Sequence, residues 1–254
     1  MWYTWRMGIK KRALAALAIA ITVPLAAEYS PWTFFGGLNL IYNSDGSGVS
    51  FAPKAQDDGS PGGLSSAPSP LRGFLGLEYR YPFRDRIVIS PSVSLWSVKY
   101  LWADDRALPA EIENRTAMVP SIFLEVPFLY TFERGDFLFR AGGGLGFLIR
   151  YAFLEFGVDA DEKSYEEDLS AGQQVARINR YLWSDARWVY PTLQGEMTYR
   201  LENGWGAGLT LRVGIPIFNL WATPSVPFAD SLMVMVAVTI TPPRATKPAP
   251  ADSQ

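Results

Sequence analysis

The stretch Val189–Gly214, VYPTLQGEMTYRLENGWGAGLTLRVG, carries the reading from which the rest of the chain follows. Its first half alternates, with Val189, Leu193, Met197, Tyr199 and Leu201 on one phase and Thr192, Gln194, Glu196, Thr198 and Arg200 on the other. The second half sets Ala207, Leu209, Leu211 and Val213 against Gly208, Thr210, Arg212 and Gly214. A period of two marks strands with one apolar and one polar face. Between them Glu202-Asn203-Gly204-Trp205 reads as a tight turn, because Gly204 can take a positive φ without a Cβ penalty. A two-residue Asn-Gly loop would carry Arg212 to the apolar side. A three-residue loop keeps the faces and sets Leu201 against Ala207, Tyr199 against Leu209 and Glu196 against Arg212. That last pair would place a carboxylate opposite a guanidinium on the polar face.

Six further segments repeat the pattern. Thr33–Tyr42 places Phe34, Leu38, Leu40 and Tyr42 on one face, and Arg72–Tyr81 sets Leu75, Leu77, Tyr79 and Tyr81 against Phe74, Gly76, Glu78 and Arg80. Ile87–Ser97 opposes Ile89, Val93 and Leu95 to Ser90, Ser92 and Ser94. Met118–Phe132 opposes Ile122, Leu124, Val126, Phe128 and Tyr130 to Ser121, Phe123, Glu125 and Thr131. Phe137–Tyr151 has Phe139, Ala141, Leu145, Phe147 and Ile149 against Arg140, Gly142, Gly144, Gly146 and Arg150. Ser231–Thr241 carries Leu232, Val234, Val236, Val238 and Ile240. With the opening hairpin these make eight strands, an even number as an antiparallel up-and-down barrel requires. The connections Pro82–Arg86, Glu133–Asp136 and Glu202–Gly206 are short, whereas Asn43–Leu71, Val98–Ala117, Ala152–Trp188 and Phe218–Asp230 are long. Three short periplasmic turns and four long extracellular loops are the layout of an all-β transmembrane barrel. Pro127 and Pro191 fall where a closed barrel has no edge strand to hide a missing donor, so bulges are expected at both.

Alternation does not say which face looks inward, since a soluble lipocalin-like barrel shows it too. Three features do. A water-facing barrel surface normally carries many Lys and Glu, yet apart from Lys99, near the end of strand three, the strands carry no lysine. The polar-face charges nearly balance, Glu78, Glu125 and Glu196 against Arg80, Arg140, Arg200 and Arg212, as a packed interior with paired charges needs. Aromatics such as Tyr79, Tyr81, Phe83, Tyr130, Phe132, Phe137, Tyr199 and Trp205 gather beside the short turns, forming an interfacial girdle. The apolar face is therefore expected to meet lipid and the charged residues to form a lumenal network.

At the N-terminus Arg6, Lys10, Lys11 and Arg12 precede the apolar run 13–21, and Ala26 and Ala27 follow. Residues 1–27 read as a secretory signal peptide, 28–241 as the barrel and 242–254 as a Pro/Ala-rich disordered tail. Removing those four basic residues takes the formal charge from −2 to −6, which argues against a nucleic-acid partner. Cysteine and histidine are both absent, excluding a disulfide framework, a Ser-His-Asp relay and a His-based metal site. The third long loop holds Asp159, Asp161, Glu162, Glu166, Glu167 and Asp168, then Val175, Ile178 and Leu182 at helical spacing. Clustered carboxylates suit Ca²⁺, but EF-hand spacing is lacking and a solvated loop is the plainer reading, so no metal or cofactor is expected.

In this layout the chain resembles the small outer-membrane barrels of the OmpW, OmpX and OmpA-barrel group, from Trp32 to about Thr241. The resemblance rests on architecture, and the chain departs from the group where strand eight ends in Thr239-Ile240-Thr241 and a tail follows, in place of a terminal aromatic. It implies an outer-membrane location, lipid as partner, no enzymatic activity, and a narrow, laterally open conduit for small hydrophobic molecules. Phe74, Phe123, Leu148, Met233 and Met235, apolar residues on the polar face, would line such a lumen; the plainer reading is that they fill it. The alternative is a structural or surface-interaction protein whose long loops bind an extracellular ligand.

Overall fold

The computed structural model describes residues 30–43, 50–51, 64–65, 71–103, 105–110, 117–161, 169–222 and 227–243. The expected signal peptide, most of the first long loop, Glu162 to Asp168 and the tail beyond residue 243 lie outside them.

Eight barrel strands follow one another around the ring. They are β1 (Trp32–Ile41), β2 (Leu71–Tyr79, continued by Tyr81–Arg84), β3 (Ile87–Ile89, then Ser92–Ala103) and β4 (Ala117–Arg134). Then come β5 (Phe137–Arg150), β6 (Val189–Arg200), β7 (Gly206–Gly214) and β8 (Met233–Thr241). Each pairs antiparallel with the next, and β8 returns to β1 from Phe34↔Ile240 to Ile41↔Met233. The closed antiparallel barrel is thus the fold, and closure removes the unpaired edges that an open sheet would expose. No described helix is long and apolar enough to cross a membrane, which leaves strand crossing untouched.

The faces sort as period-two patterning requires. Phe34, Leu38, Leu75, Leu95, Phe128, Leu145, Leu193, Leu209, Leu211, Val236 and Val238 are all exposed on the outside. Such a continuous apolar exterior is far larger than a water-soluble monomer tolerates. Around the rim of short turns Trp32 meets Tyr79 (ring centroids 4.8 Å apart), Phe137 meets Tyr199 (5.1 Å) and Arg86 Nη1 donates to Tyr130 Oη at 2.9 Å. Amphipathic rings and snorkelling cations at this level are what a membrane interface selects.

Two local expectations are corrected. The β6–β7 turn has three residues, but they are Glu202, Asn203 and Gly204: Leu201 N–H donates to the Trp205 carbonyl at 2.8 Å, and Gly204 sits at φ +81°. In three-residue hairpin loops the left-handed residue comes last, which moves the register by two. Tyr199 therefore faces Ala207, Glu196 faces Thr210 and Gln194 faces Arg212. The shift is even, so every side chain keeps its face. No bulge forms at Pro127 or Pro191 either, since Gly144↔Pro127 and Leu145↔Pro191 belong to unbroken ladders. Pro127 turns its backbone polar edge to the break in β3, where Ser90 N–H donates to its carbonyl at 3.0 Å. Pro191 turns the same edge beyond the end of β7, accepting from Ile215 N–H at 2.9 Å. Each missing donor faces a place where the ladder has already stopped.

On the long-loop rim, Arg106–Ala110 folds back on β3. One helix, α1 (Ala171–Trp183), closes the mouth. Ser170 caps it, its hydroxyl accepting from Gln173 N–H while the Gln173 side chain accepts from Ser170 N–H. This capping box satisfies two N-terminal donors. Ala171, Gln174, Ile178 and Leu182 form the buried stripe, and Asn179 ties the helix to the segment just past β5 through two hydrogen bonds with Ala152, at 2.8 and 3.0 Å.

Candidate functional site

The interior of the barrel is layered, and its polar half lies toward the short turns. Glu78 is the hub. Its Oε1 accepts from Arg80 Nε at 2.8 Å, and its Oε2 accepts from Arg212 Nη2 at 2.5 Å and from Gln194 Nε2 at 3.1 Å. Arg212 also donates from Nη1 to Glu125 Oε2 at 2.9 Å and to Ser92 Oγ at 2.7 Å. Glu196 Oε1 accepts from Arg80 at 2.5 Å, Arg140 at 3.0 Å and Thr198 Oγ1 at 2.6 Å. All six charged groups are buried. Three carboxylates and three guanidiniums bring no net charge, and charge-assisted hydrogen bonds offset the cost of removing them from water.

Of the charged residues singled out from the sequence, Glu78, Arg80, Glu125, Arg140, Glu196 and Arg212 come together here. Arg200 does not. It lies near the rim and pairs with Glu133 at 3.0 Å, with partly exposed side chains. The expected Glu196–Arg212 pair is also corrected: both are lumenal, yet Arg212 binds Glu78 and Glu125 while Glu196 binds Arg80 and Arg140. The two-residue register shift removed the direct opposition, and contacts across the lumen took its place.

Above this layer the interior is apolar. Phe74, Phe123, Leu148, Met233 and Met235 are all buried and pack with Phe35, Trp96 and Tyr190. The ring of Phe35 lies 4.0 Å from the Arg212 guanidinium, joining the two layers by a cation–π contact. Inward-facing glycines make room for these rings. A Cβ at Gly76 would lie 2.2 Å from Phe35, and one at Gly146 would lie 2.3 Å from Phe123. Side chains thus fill the width of an eight-stranded barrel, as its dimensions allow.

At the mouth a third layer mixes Arg150, Arg187, Tyr100, Tyr181 and Phe218. Arg150 Nη2 donates to the Arg187 carbonyl at 2.9 Å, and the Arg187 guanidinium lies 4.0 Å from the Tyr181 ring. Arg187 also binds Asp185 and Ser184 Oγ, the latter at 2.8 Å. The hydrogen bond from Arg187 holds the Asp185 carboxyl below its ordinary range, and burial pushes the Tyr181 phenol up. Arg150 stands on the same phase of β5 as Arg140, so face parity reaches it from sequence. Arg187 sits in a loop that carries no periodic signal, and only the fold places it inside. Among the described residues no cluster of acidic side chains has the arrangement to hold a metal ion.

A closed eight-stranded barrel with an apolar exterior, an aromatic rim and paired charges inside is the architecture of a membrane-spanning β-barrel. No protein-family model and no curated protein matches the chain. Among solved structures it is similar to the outer membrane protein OprG from Pseudomonas aeruginosa, with TM-score 0.42 and 12% identity over 86% of this chain and 99% of that one. It is similar to Neisserial surface protein A (TM-score 0.42, 7% identity, 86% and 100% covered) and to the outer membrane enzyme PagL (0.33, 10%, 82% and 99%).

Proposed function

We propose that the chain is a non-enzymatic bacterial outer-membrane barrel that passes small hydrophobic molecules from its loop side sideways into the bilayer. The observation that carries this reading is where the β2–β3 ladder stops. Those strands pair only from Leu75↔Leu95 to Glu78↔Ser92, after which β3 takes Arg106–Ala110 as its partner. Beside the interruption lie the buried rings of Phe74 and Trp96, part of the apolar upper interior. Beneath it the Glu–Arg layer blocks straight passage. An apolar solute that displaces these rings would meet apolar surroundings above the charge layer and a discontinuous wall at its side. The absence of histidine and cysteine from the sequence supports the non-enzymatic part.

The test uses the absence of native cysteine. Continuing the β2–β3 register would bring Gly73 opposite Ser97, so the double variant Gly73→Cys, Ser97→Cys should staple the gap. Liposomes carrying the reduced protein should take up small hydrophobic solutes faster than empty liposomes, and oxidation should abolish the difference. Uptake unaffected by the staple, or equal to empty liposomes, would sink the lateral route. A second reading, binding of a surface partner, draws on the folded cap: Trp183, Leu220 and Trp221 are exposed on the loop side, and Trp221 Nε1 donates to the Asp185 carbonyl at 3.0 Å. Deleting residues 152–188 with the barrel intact should then abolish partner binding.

A further inference from the structure

Past Arg150 the chain keeps the register of β5 for a few residues more. Phe153 and Leu154 pair with Met118 and Ala117 at the far end of β4, so face parity puts Tyr151, Phe153 and Glu155 on the outer wall. The Tyr151 and Phe153 rings lie 4.9 Å apart there, and the Glu155 carboxylate pairs with Lys99 of β3. Val158 N–H then donates to the Glu155 carbonyl at 3.1 Å, closing a tight turn with Gly157 at φ +87°. Phe156 stands on this turn. Among the described residues it is the most exposed large apolar side chain, with its whole ring open. A phenylalanine left in water forfeits the free energy of burial, and nothing within the chain covers this one.

Height along the barrel decides what does. On β4 the aromatic rim beside the short turns lies at Tyr130, and Met118 ends the same outward face. At ordinary strand rise and tilt the run between them spans about 30 Å along the membrane normal, against an apolar band about 25 Å tall. Met118 and its partner Phe153 therefore stand at the far edge of the hydrocarbon. The outward Lys99–Glu155 ion pair marks the same level, since charges are costly deeper among the acyl chains. Leu145, Phe147, Ile149, Tyr151 and Phe153, all exposed, carry the lipid-facing wall up to this turn without a polar break.

We propose that Phe156 is a membrane anchor on the loop side, its ring seated in lipid at the boundary between head groups and acyl chains beside Tyr151 and Phe153. The anchor also steadies α1. Ala152 binds Asn179 on one side of Phe156 in the chain, and on the other the Ala160 carbonyl accepts from Gly172 N–H at 2.9 Å. The bilayer thus helps to hold the helix over the mouth, whether or not solutes take the lateral route.

The experiment uses the full chain in discs of dimyristoylphosphatidylcholine, with para-fluorophenylalanine in place of Phe156. A phosphatidylcholine carrying a nitroxide near its head group should broaden the fluorine signal at least about threefold more than a water-soluble gadolinium chelate does. Equal broadening, or stronger broadening by the chelate, would overturn the anchor and leave Phe156 as a contact for an extracellular partner. Because the ring is free of the rest of the chain, Phe156→Ser leaves the fold intact, as heat-shifted migration in SDS should confirm. In the same discs its amide exchange over residues 153–160, corrected for intrinsic rates, should rise at least about threefold with the barrel amides unchanged. Phe156→Trp should restore the protection. Unchanged exchange in Phe156→Ser would likewise overturn the anchor.

Discussion

Glu78 shows what a single side chain decides inside this barrel. It accepts hydrogen bonds from Arg80, two residues along the same chain, and from Arg212, which reaches it from β7, so removing its charge leaves both short of a partner. Glu78→Gln is expected to cost about 3–5 kcal/mol of folding free energy in vesicles, the usual penalty for stranding a buried charge. Combined with Arg212→Met it should show a coupling of about 1–3 kcal/mol, as groups in contact do. The corresponding cycle for Glu196 and Arg212 should give a smaller coupling, and a larger one there would refute the arrangement of the layer. Gly146 decides by what it lacks. A methyl group at this position would lie 2.3 Å from the Phe123 ring. Gly146→Ala should therefore cost about 1–3 kcal/mol through overpacking. Phe123→Ala in the same chain should recover part of that cost, and strict additivity of the two would count against the contact.

At the scale of elements, α1 is held over the mouth by identifiable ties. They include the Asn179–Ala152 pair of hydrogen bonds, the bond from Gly172 N–H to the Ala160 carbonyl and the Asp185–Arg187 contact beyond its C-terminus, while the Ser170 capping box holds the helix's own first turn. Ser170→Ala should weaken the helix by about 1 kcal/mol, read as faster amide exchange over residues 171–183 with the barrel amides unchanged. The Asp185 contact has a pH signature. Its folded-state pKa lies below the ordinary 3.8 because Arg187 donates to the carboxylate. The stabilisation is therefore complete above pH 3.8 and is lost as pH falls through the lowered value. Asp185 is half exposed, so the effect is screened and small. Exchange at the C-terminal end of α1 should rise on acidification, and Asp185→Asn should remove the pH dependence. Short irregular segments elsewhere obey the same local logic, since the prolines of β4 and β6 point their missing donors at gaps that β3 and β7 leave.

For the whole molecule the decisive property is the outward apolar surface of a closed ring. Leu211 lies in the middle of β7 and is 48% exposed, its side chain facing away from the lumen. Leu211→Arg should cost about 2–4 kcal/mol in vesicles, the depth-dependent penalty for arginine near the bilayer midplane. Ser60→Arg, in the first long loop, should cost nothing measurable. Equal costs at the two positions would turn the barrel inside out. Closure also explains why the interior can hold six charges: the ring excludes both water and lipid, so each carboxylate is answered by side chains of the barrel itself, mostly from other strands.

How much of this was legible in the sequence follows from what each rule can see. Period-two alternation with no lysine-rich face sufficed for strands, for their number, and for which side chains turn inward, because the pleat assigns faces without reference to neighbours. It placed Glu78, Arg80, Glu125, Arg140, Glu196 and Arg212 in one interior, and helical spacing separately put Ile178 and Leu182 on one stripe. It could not say which glutamate meets which arginine. A two-residue slip leaves every face unchanged, so parity is blind to the register that separated Glu196 from Arg212. The glycine in the turn held that information, through the left-handed conformation that puts it last in the loop. Contacts such as Glu78–Arg212 and Glu125–Arg212 join strands that are not neighbours in the ring, and they depend on the stagger set when β8 closes on β1. Arg187 reaches the mouth from a loop, and Arg106–Ala110 displaces β2 from the upper part of β3. Those placements are decided by distances through space, and only the tertiary structure carries them.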